Sequence, residues 1–133
     1  MKKILAWSIL AISIVSCGKK EEKKEALYPE NVAETLSPEE QQIATGKELF
    51  DSNKAACFSC HQVDKKVIGP SLQEIAKVYK EQNGDMFAFL RKKADPIVDP
   101  AQYGVMETNF AILKTLSDEE IKALEAYVMS FSK

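Results

Sequence analysis

Two cysteines three positions apart, followed at once by the only histidine in the chain, stand at Cys57, Cys60 and His61. Few three-residue arrangements restrict a small fold so severely. The two thiols can add to the two vinyl groups of one haem, and the adjacent histidine is then held beneath the iron as an axial ligand. A chain built this way must wrap its core around a large flat group. Covalent attachment also lets a small protein keep that group outside the cytoplasm.

Competing readings of the same residues do less well. A structural zinc site needs four ligands, and beyond these three the chain offers no other histidine and only Cys17. A thioredoxin-like redox pair heads a helix in a βαβ context, whereas here the cysteines follow a helical pattern in a chain without strand signals. A disulfide between Cys57 and Cys60 is geometrically awkward and leaves His61 without a role.

Helix signals punctuate the rest. Ser37-Pro38-Glu39-Glu40 combines an N-cap serine, proline at the first helical position and glutamate three residues after the cap, which together make a capping box. The helix runs to about Phe50, with Ile43, Gly46 and Phe50 on one stripe, before Asp51-Ser52-Asn53 breaks it. Leu72, Ile75, Ala76 and Tyr79 share one face of a second helix. Asp85 caps a third through Met86, Phe87, Phe89 and Leu90, ending near Ala94 because Pro96 cannot continue it. Ser117-Asp118-Glu119-Glu120 repeats the capping box and opens a final helix bearing Ile121, Leu124, Tyr127 and Val128. No stretch alternates in the manner of a strand. The expected fold is all-α, about four helices around one covalently attached haem.

Gly46 is costly inside a helix, by about 1 kcal/mol relative to alanine. Its place on the apolar stripe predicts a compensation: the first helix crosses close to the last, and Phe50 packs against Leu124 or Tyr127.

The start of the chain differs in kind. Lys2 and Lys3 precede a mostly apolar run from Ile4 to Val15, too short to span a bilayer, which reads as an export signal. The run ends in Ile14-Val15-Ser16-Cys17, which resembles the lipobox of bacterial lipoproteins, so residues 1–16 are expected to leave and Cys17 to carry the lipid; the plainer alternative is an ordinary signal with a stray cysteine. Two or more acyl chains on Cys17 would hold the protein stably on a membrane. Residues 17–36 begin Cys17-Gly18-Lys19-Lys20-Glu21-Glu22-Lys23-Lys24-Glu25, with almost nothing to bury, and read as a charged solvated tether. The folded domain then covers residues 37–133. A purely apolar core of that size is only modestly stable, and a buried haem supplies what the sequence lacks.

The formal net charge of −2 becomes −4 once Lys2 and Lys3 are removed. That balance argues against nucleic acid, which requires a basic surface, and favours partners with a basic patch.

Residues 43–80 and 116–130 resemble the class I small monohaem cytochromes c of bacteria. The resemblance rests on Gly46-Lys47-Glu48-Leu49-Phe50, the Cys57-Phe58-Ser59-Cys60-His61 motif, the run Gln62 to Gly69-Pro70-Ser71-Leu72, and Leu116 to Ile121 with Ala126-Tyr127-Val128. It implies a cytochrome c fold and one haem c, and that the Pro70 carbonyl orients the His61 ring through Nδ1. It also implies an electron-transfer protein with no catalytic residues, exchanging electrons with redox partner proteins in the periplasm or cell envelope.

The sixth iron position falls to a methionine by elimination, because His61 is the sole histidine. Met1 leaves with the signal. Met86 and Met129 fall in helices, where methionine is most often core filler. Met106 lies in an irregular segment, Asp99 to Thr115, long enough to wrap the far face of the haem, and falls where the family places its ligand. Family members commonly have proline after that methionine, and this chain has Glu107. That departure keeps open a haem enzyme or gas sensor with a displaceable sixth ligand. A fixed cytochrome subunit of a larger oxidoreductase complex is the other alternative.

Overall fold

The computed structural model describes residues 36–132. The expected export signal, the lipid-bearing Cys17 and the 17–35 part of the tether lie outside the described residues. Within them the chain forms α1 (Pro38–Asp51), α2 (Leu72–Glu81), α3 (Met86–Leu90), α4 (Tyr103–Glu107), α5 (Phe110–Leu113) and α6 (Asp118–Met129), with 3-10 turns at Cys57–Ser59 and Pro100–Gln102. Among the described residues the only β pairing is one isolated antiparallel bridge, His61 to Lys66. None of their helices is long and apolar enough to cross a membrane. The fold is all-α.

Caps define the long helices. The Ser37 hydroxyl accepts the Glu40 N–H at 3.3 Å while the Glu40 carboxylate accepts the Ser37 N–H at 2.8 Å, and Ser117 and Glu120 repeat the exchange at 3.2 and 2.9 Å. Each box satisfies donors that a helix start otherwise leaves exposed. Ser71 caps α2 by accepting the Glu74 N–H at 3.1 Å, and Asp85 caps α3 by accepting the Ala88 N–H at 2.7 Å.

The central packing is α1 against α6, with α2 and α3 also laid on α6. Gly46 makes the crossing possible. A Cβ there would overlap the Ala123 carbonyl oxygen and come within 2.8 Å of the Tyr127 Cβ. The close approach lets Phe50 meet Tyr127 with ring centroids 5.5 Å apart, and Tyr127 in turn meets Phe131 edge-on at 5.3 Å. Leu72, Leu113 and Ile121 are the largest fully buried side chains. Each contributes about 1.5–3 kcal/mol by leaving water.

Two expectations need correction. The third helix stops at Leu90, not near Ala94: Lys92 takes a left-handed φ of 56°, and the Lys92 and Lys93 N–H groups turn back to Phe89 and Ala88. The turn closes before Pro96 can act. The segment Asp99 to Thr115, expected to be irregular, holds a 3-10 turn started by Pro100 and the short helices α4 and α5. Helices of four or five residues are marginal in isolation and show no apolar stripe, so their stability comes from packing.

Candidate functional site

The segment between α1 and α2 folds back on itself. Ala56 adopts a left-handed φ of 55°, and the following 3-10 turn is closed by Cys60 N–H and His61 N–H, both donated to the Cys57 carbonyl at 3.1 Å. This local winding brings both cysteines and the imidazole to one cavity. No disulfide joins the two thiols. Beyond the motif, Gly69 N–H donates to Cys60 O and Leu72 N–H to Gln62 O, each at 2.9 Å. The chain is thereby delivered to the capped start of α2.

His61 is held on two sides. Its Nδ1 lies 2.8 Å from the Pro70 carbonyl oxygen. A carbonyl can only accept, so the ring proton sits on Nδ1 and Nε2 keeps a lone pair for a metal. Gly69 lies against the ring, and a Cβ there would reach the His61 Nδ1 at 2.8 Å. The imidazole plane is therefore set by backbone.

The cavity measures about 330 Å³ and is mainly apolar. That size falls within the roughly 300–1,000 Å³ typical of ligand and cofactor sites. The segment between α1 and α2 lines one wall with Cys57, Cys60 and His61; another wall comes from the segment Pro96 to Asn109 and includes Met106. Two thiols, an imidazole and a thioether around an apolar slot fit a covalently attached haem. They would supply its two links and two soft or borderline axial donors.

Burial pushes the Cys57 thiol up to about 11, with the neighbouring Cys60 adding to the shift against a backbone hydrogen bond that lowers it. Redox-active CxxC pairs need the opposite, a depressed thiol. Tyr79, buried in the cavity wall, is pushed up to about 12 by burial first and then by Asp85 and Glu125.

The structure thus brings Cys57, Cys60, His61 and Met106 to one cavity, with Pro70 behind the imidazole. Met106 is not in irregular chain: it lies in α4 and is partly buried. Met129 is partly buried and does not reach the cavity, whereas Met86, read from sequence as core filler, is buried and also lines it. Sequence reasoning missed Asn109 as well, whose amide donates to the Ala55 carbonyl at 3.1 Å and ties the two walls together. Nothing in a lone asparagine signals a partner so distant in sequence.

A family model described as Cytochrome c matches residues 43–132. The chain is similar to cytochrome c-551 of Pseudomonas denitrificans, 45% identical over 47 residues, which is 35% of this chain and 54% of that protein. It is also similar to cytochrome c2 of Rubrivivax gelatinosus, 56% identical over 41 residues, 31% of this chain and 46% of that protein. The chain spans about half the length of these curated relatives.

Proposed function

The chain belongs to the cytochrome c family, which binds haem c covalently, and from that premise we propose that it is an exported, membrane-anchored carrier of single electrons. Bound haem supplies a one-electron ferric/ferrous couple. Cys57 and Cys60 are assigned its two thioether links. His61 Nε2 is assigned the proximal iron position, with the Pro70 carbonyl holding the ring in register. The Met106 sulfur is assigned the distal position, where a thioether favours ferrous iron and keeps other molecules off the metal.

The observation that carries this reading is the convergence of the motif and Met106 on one apolar cavity. Docking is assigned to the cavity mouth. The exposed large hydrophobics among the described residues are Phe58, Val63, Val67, Ile68 and Val105, of which Ile68 and Val105 line the cavity and Phe58 stands between its two cysteines in sequence. A small apolar face of this kind suits brief encounters with larger redox proteins. The net negative charge favours a partner with a basic patch.

Residues 1–16 are assigned to an export signal, Cys17 to lipid attachment and residues 17–36 to a tether, which places the domain 37–133 at the periplasmic or envelope face of a membrane. Absorption spectroscopy of the purified holoprotein tests the site. A low-spin, six-coordinate ferric spectrum is expected, and a five-coordinate high-spin spectrum overturns the closed-iron assignment. Recovery of the protein in the soluble fraction after Cys17→Ser, against the membrane fraction for the native chain, tests the anchor.

A further inference from the structure

The segment that carries Met106 is only lightly embedded in the core. Neither the 3-10 turn Pro100–Gln102 nor α4 contributes a single buried residue. Its main apolar hold is Tyr103, half-buried, whose ring meets Phe89 at 6.2 Å and Phe110 at 6.1 Å. Met106, with Ile97 and Val98 ahead of the turn, also packs partly buried against the core, and two ion pairs add to this hold. At the front, Lys66 Nζ pairs with Asp99 Oδ2 at 2.8 Å; at the back, Lys92 Nζ pairs with Glu107 Oε1 at 2.7 Å.

The front pair joins the segment after the motif to the segment that carries Met106. Lys66 is bridged through its backbone to His61, and Asp99 heads the turn that runs into α4, its carbonyl accepting the Gln102 N–H at 3.1 Å. A continuous path therefore joins the His61 backbone to α4 through one ion pair, and the Asn109–Ala55 hydrogen bond is a second, neutral tie between the same two segments. The back pair fastens α4 immediately after Met106, and Lys92 also stands 5.5 Å from the centre of the Phe110 ring. Both pairs are partly exposed to water, with Lys66 54% and Asp99 22% accessible. Exposed pairs weaken as salt screens them. The Asn109 amide, bonded to the Ala55 carbonyl, is neutral and persists.

We propose that Lys66, Asp99, Lys92 and Glu107 are positioning residues for Met106, and that the distal thioether is held on the iron by two salt-sensitive ion pairs. Screening or neutralising either pair loosens the segment 99–107 and opens the distal face to an external ligand. This inference rests on Met106 being the sixth ligand, as assigned above.

Imidazole binding to the ferric holoprotein tests it, followed at about 10 mM and about 1 M sodium chloride, where the screening length falls from about 30 Å to about 3 Å. High salt is expected to raise the imidazole affinity of the native protein. At low salt Asp99→Asn and Glu107→Gln should each raise it about two- to fivefold, the range for one exposed ion pair, and should blunt the response to salt. The exchanged pair Lys66→Asp with Asp99→Lys should return affinity toward the native value, which a merely structural role would not do. Lys77→Gln, which breaks the exposed Lys77–Glu81 pair on α2, is the control and should change nothing.

Affinity indifferent to salt and to both neutralisations overturns the inference. The weak near-infrared band of a sulfur-ligated ferric haem separates this failure from that of the underlying assignment. Band present with salt-inert binding removes only the clasp; band absent in the native protein at low salt removes the Met106 assignment and the clasp with it.

Discussion

Gly46 sits directly beneath the Ala123 carbonyl, so that the first and last helices touch through backbone. Alanine at this position gains helix propensity of about 1 kcal/mol, yet its Cβ would overlap a backbone oxygen that cannot rotate away. The helices must separate, loosening the Phe50–Tyr127 contact. Gly46→Ala is expected to destabilise the holoprotein by about 1–3 kcal/mol net, the scale of overpacking in a filled core. Urea unfolding measures it, and an unchanged midpoint would contradict the crossing geometry.

Arg91 gathers the joint between α5 and α6. One guanidinium nitrogen donates to the Leu113 carbonyl at 3.1 Å, and another donates to the Leu116 carbonyl at 3.0 Å and to Asp118 at 2.7 Å. A lysine cannot reproduce this fork. Arg91→Lys is expected to cost about 1–3 kcal/mol, because at least one carbonyl loses its donor. Thermal unfolding of the holoprotein provides the check, and a melting temperature equal to that of the native chain would show that the fork is dispensable.

Glu125 supplies a pH dependence. Burial raises its carboxyl above the ordinary range; Asp85 adds to the shift, while the Phe87 N–H and Lys122 oppose it. A raised folded-state value means that the folded chain holds this proton more tightly than the unfolded chain. Its contribution is therefore largest in acid and is lost as pH rises through the folded-state value. Glu125→Gln should stabilise the protein at pH 7 by less than about 1 kcal/mol, since the group is partly solvated, and should have no effect once the carboxyl is protonated. A variant equally stabilised at both pH values would contradict this sign.

Two methionines line the cavity, and only one is assigned to iron. Met106→Ala is expected to abolish the near-infrared sulfur-to-iron band and to admit carbon monoxide rapidly to the reduced protein. Met86→Leu should retain the band while costing less than about 1.5 kcal/mol, as volume-conserving core exchanges do. Persistence of the band in Met106→Ala, or its loss in Met86→Leu, would move the assignment to Met86.

Much of the proximal side was legible without a structure because its information is contiguous. Cys57, Cys60 and His61 lie within a single turn, and Gly69 and Pro70 follow within one short loop, so local winding alone aligns them. Both capping boxes are four-residue signals and appear where the sequence placed them. Gly46 could be read because a glycine on an apolar stripe implies a neighbour.

The distal wall was a different matter. Methionine reads as core at any helical position, so nothing local distinguishes Met86, which closes the cavity from α3, from a residue that only fills the interior. α4 and α5 carry too few residues for a periodic pattern and form because Tyr103 and Phe110 pack on Phe89. The pairing of Lys66 with Asp99 and of Asn109 with Ala55 joins positions 33 and 54 residues apart. The sequence by itself determined the capped starts of α1, α3 and α6, the attachment motif and the face each long helix buries, because those depend on neighbours along the chain. Tertiary structure alone decided which side chains meet across the cavity, because those contacts exist only after the loops have closed.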